Sequence, residues 1–443
     1  MSGPTRHELD ECAKRRARLM QVMGPEGIAI IPSAIEVTRN RDVHFRFRQD
    51  SDFRYLTGFL EPDAVAVLVP GRAEGEFVLF CRDRDELMEI WHGRRAGPEG
   101  ACRDFGADQA FTIDEFAEQL PQLLADRKRV HYTLGEHGWD DTITACVREI
   151  REVSRRGGAA PDEFLAMETS LHEQRLIKSA AELECLRKAG AVSAHAHCQA
   201  MRLAAPGVNE YRIGAEVHYE FEKEGMEPGY GSIIAGGDNA CILHYTENNQ
   251  TLNDGDLLLI DAGGEYQGYT ADITRTFPVN GRFSAPQREI YEVVLRAQLA
   301  AIDTLRVGNT CDAPHLASVR ALTEGMVELG LLKGEVKDLI AKEAYKQFFM
   351  HGTGHWLGAD VHDVGRYKLG GKHRPFEPGM VMTVEPGIYV ARGTEGVDER
   401  YWGIGVRIED DIVVTEGEPE NLTSGVPKTV AEIEALMAEA RGA

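Results

Sequence analysis

Two stretches of this chain share one plan: a turn, a buried-looking apolar run, an acidic residue, a small or rigid residue and a glycine. They are Asp254-Gly-Asp-Leu-Leu-Leu-Ile-Asp261-Ala-Gly263 and Pro378-Gly-Met-Val-Met-Thr-Val-Glu385-Pro-Gly387. Setting Gly255 on Gly379 sets Asp261 on Glu385, six residues further on in each. Either stretch alone reads most simply as turn chemistry at a strand end. Together they predict a duplicated half-domain, with both acids near its pseudo-two-fold axis.

More potential ligands surround these two. After Asp261 a glycine-rich segment leads into a run with Thr270, Asp272, Thr274 and Thr276 on one face and Ala271, Ile273 and Phe277 on the other, the signature of a hairpin. A turn centred on Tyr266-Gln267 sets Asp272 directly opposite Asp261, where like charges destabilise unless a cation lies between them. The run Gly405–Thr415 reads as one strand with Arg407 and Glu409 on a common face. His351, His355 and His362 fall within twelve residues threaded with glycine, and His244 is a fourth candidate. Asp261, Asp272, Glu385, Glu409 and one histidine make an oxygen-dominated set for two divalent ions, chemistry that suits Mn(II). Two ions roughly 3.5–4 Å apart could share a bridging hydroxide and polarise a carbonyl, which is metal-assisted hydrolysis. Competing motifs fail: His172-Glu173 lacks the second histidine of a zincin helix, and there is neither a phosphate-binding P-loop nor a serine nucleophile elbow.

The elements that must position this set occupy the second half of a 443-residue chain, long enough for two or three domains. In the first third, Leu9–Met23 reads as a helix and Gly27–Pro32, Ala64–Pro70 and Glu76–Cys81 as buried strands. A capped helix Phe116–Asp126 with an awkward Pro121 follows, then strand Val130–Leu134 and helix Asp141–Arg156. Strands interleaved with helices predict an α/β domain. A break at Arg156–Pro161 and a capping box, Ser179-Ala-Ala-Glu182, put the boundary near residue 175. Val430–Arg441 reads as a closing amphipathic helix.

Forty-nine basic against 72 acidic residues give a net charge of -23, which argues against nucleic acid or anionic lipid as a partner. The N-terminal residues lack a signal-peptide core, and no apolar run reaches the ~20 residues a membrane span needs. Eight scattered cysteines without a C-x-x-C pair read as reduced thiols. The expectation is a soluble cytoplasmic protein.

The strings Ile260-Asp261-Ala-Gly, Asp272-Ile-Thr-Arg-Thr-Phe-Pro278, His351-Gly-Thr-Gly-His355, Thr383-Val-Glu385-Pro-Gly and Arg407-Ile-Glu409-Asp-Asp resemble the pita-bread metallopeptidases, and among them the Xaa-Pro aminopeptidases (aminopeptidase P). Arg48–Phe59 resembles the creatinase-like N-terminal domain of that family, and Glu89–Arg95 also looks like aminopeptidase P. The resemblance implies an α/β creatinase-like domain over residues 1–175 and an α+β pita-bread domain with pseudo-two-fold duplication over 176–443. It implies two divalent ions held by Asp261, Asp272, His355, Glu385 and Glu409, with Asp272 and Glu409 bridging them. Glu385 would handle the proton of the attacking water, while His244 and His362 hydrogen-bond the substrate. His351 would take a softer pocket role, and Arg407 would orient a carboxylate. His92 stands where relatives often carry an aromatic residue. The implied activity is release of the N-terminal residue from peptides with proline in second position, by a homo-oligomer (dimer or tetramer). Prolidase action on Xaa-Pro dipeptides is the nearest alternative, and a metal-free peptide-binding module on the same scaffold is a more distant one.

Overall fold

The computed structural model describes residues 4–135, 138–153 and 158–442, and the chain divides into two compact units, Met1–Gln174 and Arg175–Ala443. In the first unit, Gly27–Pro32, Val65–Leu68 and Phe77–Cys81 are apolar at nearly every position and buried along their whole length. Such runs need cover on both faces. Ile28, Ile30, Val67 and Phe80 point into one core, while Ala29, Ile31, Ala66 and Leu79 point into another. These strands are the centre of a six-stranded mixed sheet ordered Gln109–Thr112, Phe77–Cys81, Val65–Leu68, Gly27–Pro32, Arg129–His131, Glu163–Leu165.

Several boundaries differ from expectation for visible reasons. The first helix begins earlier, at Arg6, on a Thr5–Glu8 capping box. The helix Phe116–Leu124 runs through Pro121. Proline cannot donate to the Ala117 carbonyl, and the Cys146 Sγ takes that carbonyl instead at 3.6 Å. The strand expected to reach Leu134 stops at His131, because the Thr133 hydroxyl turns to Glu168 at 2.9 Å and accepts from the Met167 N–H at 3.2 Å. The next helix is described from Asp140 to Val153. Arg156 and Gly157, part of the expected break, lie outside the described residues.

The second unit opens on the Ser179–Glu182 capping box, which starts the helix Ala180–Leu203. That helix packs on Glu210–Lys223, as Ala285–Ile302 packs on Ala313–Glu328. Beside the first helix pair lie the antiparallel strands Ile233–Gly236, Leu257–Asp261 and Thr274–Pro278. Beside the second lie Val381–Val384 with Asp410–Val413, and Gly387–Val390 with Ile404–Arg407. One apolar cluster, with Phe221, Ile260, Phe277, Tyr291 and Val406 among its members, joins helices and strands of both halves.

The hairpin after Asp261 turns at Gln267-Gly268, one residue later than expected. Both residues have positive φ, 49° and 76°, the requirement of the tight hairpin turn that glycine favours. Asp261 therefore pairs with Thr274, and Asp272 stands two residues off, still on the same face. The single strand expected over Gly405–Thr415 is two, ending at Arg407 and resuming at Asp410. Its partner breaks at the same level, between Val384 and Gly387, where Pro386 has no N–H to give. The two ladders keep one register across the gap, so Glu385 and Glu409 face each other at the break.

Behind that gap Arg275, wholly buried, donates to Asp410 Oδ1 at 2.6 Å and to the backbone carbonyls of Glu409 and Thr274 at 2.5 and 2.9 Å. Asp410 also accepts from Gln298, Lys428 and Thr423. Burial alone would raise its pKa, but Arg275 and Lys428 outweigh it and hold the carboxyl below its usual range. Arg275→Met removes one partner of a buried pair and is expected to destabilise the second unit by about 3–5 kcal/mol. A denaturant midpoint equal to that of the parent protein would contradict this.

Candidate metal centre

The strand ends bring the acids together. Among the described residues, Asp272, His355 and Glu409 each offer a ligand atom, and these atoms lie within 4.8 Å of one another. Asp261 and Glu385 flank the group. The Tyr230 hydroxyl lies 2.7 Å from Asp261 Oδ1 and 2.5 Å from Asp272 Oδ1, so one hydroxyl spans both carboxyl groups. Glu385 Oε1 is 3.8 Å from His355 Nε2 and its Oε2 is 3.6 Å from His351 Nδ1. Thr274, opposite Asp261, donates to Glu409 Oε2 at 2.6 Å, so the two halves meet at equivalent register positions. Asp272 and Glu409 are buried and form the floor; Asp261, Glu385, His351 and His355 are half-buried, and His244 and His362 are exposed.

The loop carrying His351 and His355 is short of room. A Cβ on Gly354 would lie 1.9 Å from the Thr383 carbonyl, and that approach lets the His355 carbonyl accept from the Thr383 N–H at 2.9 Å. His355 Nδ1 donates to the Trp356 carbonyl at 3.0 Å. Its Nε2 is left facing Asp272 Oδ2 at 3.5 Å, the arrangement in which a backbone acceptor fixes the tautomer of a ligating histidine. His351 Nδ1 bonds the Gly352 carbonyl at 2.7 Å, and Nε2 meets the Tyr389 hydroxyl at 2.8 Å. Burial, helped by the Arg407 charge, pushes the His351 pKa down to about 4. The His362 and His355 ring centroids are 4.1 Å apart. His244 is close enough to disfavour a proton on both His351 and His362. The loop that carries it is tied at its base to Glu210, a buried carboxylate that accepts from Gly236 N–H, Asn239 Nδ2, Tyr245 OH and Gln250 N–H at 2.8–3.0 Å.

Arg407 reaches three groups at once: Asp261 Oδ2 at 2.6 Å, Thr274 Oγ1 at 3.0 Å and Tyr389 OH at 3.1 Å. Tyr230, Tyr389, Thr274 and Glu210 had no role assigned from the sequence. Only Thr274 carried a signal there, through its place on the polar face of Asp272; a lone tyrosine between Gly229 and Gly231 does not stand out.

The electrostatics fit a cation that the chain does not itself supply. Burial first, then neighbouring acids, raise Asp261 and lift Glu409 well above the usual carboxylate range, while Glu385 is pushed up to about 7. Burial opposes a charge on His355, but Asp272 and Glu385 outweigh it and carry its pKa up to about 9. Four carboxylates face Arg407 and one histidine, and a donor set of carboxylate oxygens plus imidazole is that of hard or borderline divalent ions.

Comparison with known proteins agrees with this chemistry. Residues 184–416 match the model of metallopeptidase family M24, and residues 12–132 match the aminopeptidase P N-terminal domain. The chain belongs to metallopeptidase family M24. It is 48% identical over 434 residues to the Xaa-Pro aminopeptidase of Escherichia coli K12, covering 97% of this chain and 98% of that protein. Its structure is similar to Pseudomonas aeruginosa aminopeptidase PepP, with TM-score 0.97 and 55% identity over 98% of this chain and 99% of that one. It is similar to zinc-substituted E. coli aminopeptidase P in complex with product, with TM-score 0.94 and 47% identity over the same shares of the two chains. This M24 chain thus has a creatinase-like N-terminal domain followed by a pita-bread catalytic domain.

Glu385 and His355 hold protons near neutral pH and must shed them to ligate, so divalent-ion affinity is expected to rise with pH through about 7 to about 9. Calorimetry at pH 7 in buffers of different ionisation enthalpy should register release of about one proton or more per chain. Binding without proton release would contradict the assignment.

Proposed function

We propose that this chain is a Xaa-Pro aminopeptidase, releasing the first residue of peptides whose second residue is proline. The observation that carries the reading is the convergence of Asp272, His355 and Glu409 within 4.8 Å, flanked by Asp261 and Glu385. In this reading Asp261, Asp272, His355, Glu385 and Glu409 of the catalytic domain, residues 176–443, would hold two divalent ions. Such ions supply Lewis acidity and a water ionised near neutral pH. The oxygen-rich set favours Mn(II) in the cell.

The chain's own residues do the rest. Glu385, at the edge of the site beside His355, takes and returns a proton during attack on the scissile carbonyl. His362 and His244, exposed above the floor, hydrogen-bond the substrate around that carbonyl and the charge that develops on it. His351, neutral and held by Gly352 and Tyr389, lines the pocket without adding charge. Arg407 orients Asp261. The bond before proline is a tertiary amide without an N–H, so recognition must come from the carbonyl, the ring and the free amino terminus.

Two supports extend the reading. The helix Glu86–His92 buries none of its side chains and leaves Leu87, Ile90 and Trp91 exposed, an apolar face that suits a homo-oligomer of two or four chains. All eight cysteines are free, which suits the reducing cytoplasm.

Asp272→Asn and Glu409→Gln should each lower kcat/KM at least a thousandfold, about 4 kcal/mol of barrier, with an unchanged circular dichroism spectrum; parent-like turnover in either would remove the dinuclear site. Chelator-stripped protein restored with Mn(II) should release Xaa from an Xaa-Pro-Yaa tripeptide. Cleavage of the Xaa-Pro dipeptide alone would make it a prolidase, and cleavage of neither would favour a binding module.

A further inference from the structure

The segment between His355 and His362 is pinned by an ion cluster that the chemistry above leaves unused. Asp363 follows His362 directly. Its Oδ1 accepts from Arg175 Nη2 at 2.6 Å and its Oδ2 from Lys178 Nζ at 2.9 Å. The side chains of Arg175, Lys178 and Asp363 are 3%, 1% and 1% exposed. Arg175 also reaches Asp360 at 2.7 Å, and Lys178 Nζ reaches the Leu176 carbonyl at 3.3 Å.

Stability does not explain the cluster. Burying ions costs several kcal/mol each, and well-packed apolar residues in their place are often neutral or stabilising. What ions add is direction, since two donors from different residues fix both oxygens of one carboxylate. The packing is close enough that a Cβ on Gly358 would lie 2.2 Å from Asp363 Oδ2 and 2.8 Å from Lys178 Cε. The Asp363 N–H donates to the Trp356 carbonyl at 2.9 Å, closing a short loop whose ends are His355 and His362. The His362 ring touches that of His355; among the described residues no side chain hydrogen-bonds it, so its place depends on its backbone. Lys178 further donates its own N–H to the Gly379 carbonyl at 2.9 Å, in the turn that leads into Val381–Val384 and then Glu385.

We infer that Arg175 and Lys178, among the first residues of the catalytic unit, are positioning residues for the reaction: by clamping Asp363 they set where the His362 ring meets the substrate. This rests on the role given to His362 under the proposed function. The segment that opens the catalytic unit is then part of the machinery and more than a connector.

The test is a double-mutant cycle with Lys178→Met, which keeps the stem, removes the charge and leaves Asp363 paired with Arg175. Displacing a positioned group by about 1 Å can cost up to about 100-fold, so a loss of about 10–100-fold is expected. Lys178→Met should lower kcat on the Xaa-Pro-Yaa tripeptide by that factor, with metal content unchanged and KM within about twofold. In a His362→Ala background the same substitution should change kcat by less than about twofold, because its effect passes through the ring already removed. Equal losses in both backgrounds, or loss of metal from Lys178→Met alone, would overturn the inference. A second readout needs no turnover: in ring-labelled histidine NMR spectra, the His362 signal, assigned by its absence from His362→Ala, should move or broaden in Lys178→Met. An unmoved signal would also overturn it. If Lys178→Met does not fold, Asp363→Asn carries the same cycle. Should the parent protein fail to cleave the tripeptide, the proposed function falls, and the histidine spectrum still decides the positioning role.

Discussion

Four carboxylates, Asp261, Asp272, Glu385 and Glu409, converge at the broken ends of paired strands, and their mutual repulsion in a mostly buried space is what the rest of the catalytic unit answers to. Burial raises the pKa of Asp261, Glu385 and Glu409 together. The chain offers only partial relief: Arg407 on Asp261, the Tyr230 hydroxyl across Asp261 and Asp272, and His355 beside Asp272. Without a cation the acids relieve that repulsion by holding protons, and a donor set of carboxylates and imidazole is one that divalent ions match. Membership of metallopeptidase family M24 agrees with a metal site there.

Holding repelling groups in place takes rigid backing. Behind the floor, Arg275 and Asp410 form a fully buried pair that ties the Thr274 and Glu409 backbones together. In front, Arg175, Lys178 and Asp363 pin the loop that runs from His355 to His362. Both clusters sit one residue from a group of the site: Asp410 after Glu409, Asp363 after His362. The group that faces the site and the acid that anchors the backbone are chain neighbours, so the anchor's geometry passes to the site with one residue of slack. Glycine does the complementary work. Gly354 and Gly358 are positions where any side chain would meet backbone or buried charge.

The register makes the duplication concrete. Thr274 lies opposite Asp261, Glu409 faces Glu385, and the Thr274–Glu409 hydrogen bond joins the two halves at those equivalent places. One half therefore contributes a hydroxyl where the other contributes a carboxylate, and the polar groups differ while the backbone plan repeats.

Much of this was legible in the residues. The strand Gly27–Pro32, the capping box at Ser179 and the closing helix from Val430 follow from local periodicity and capping chemistry, which need no distant partner. The matching acids of the two echoed strands were visible because period-two alternation and a following glycine are properties of the chain itself. Where the hairpin turns, and where the run from Gly405 breaks, was not: the first depends on which residues accept positive φ, the second on a proline in a partner strand more than a dozen residues away. Tyr230, Tyr389 and Glu210 carry no local signature, since each acts on groups brought near it only by folding. Residue type and spacing determined that this chain would gather acids and histidines for metal chemistry. Tertiary structure alone decided which of them touch, because the distances that set hydrogen bonds and pKa values arise between segments whose separation along the chain says nothing of their separation in space.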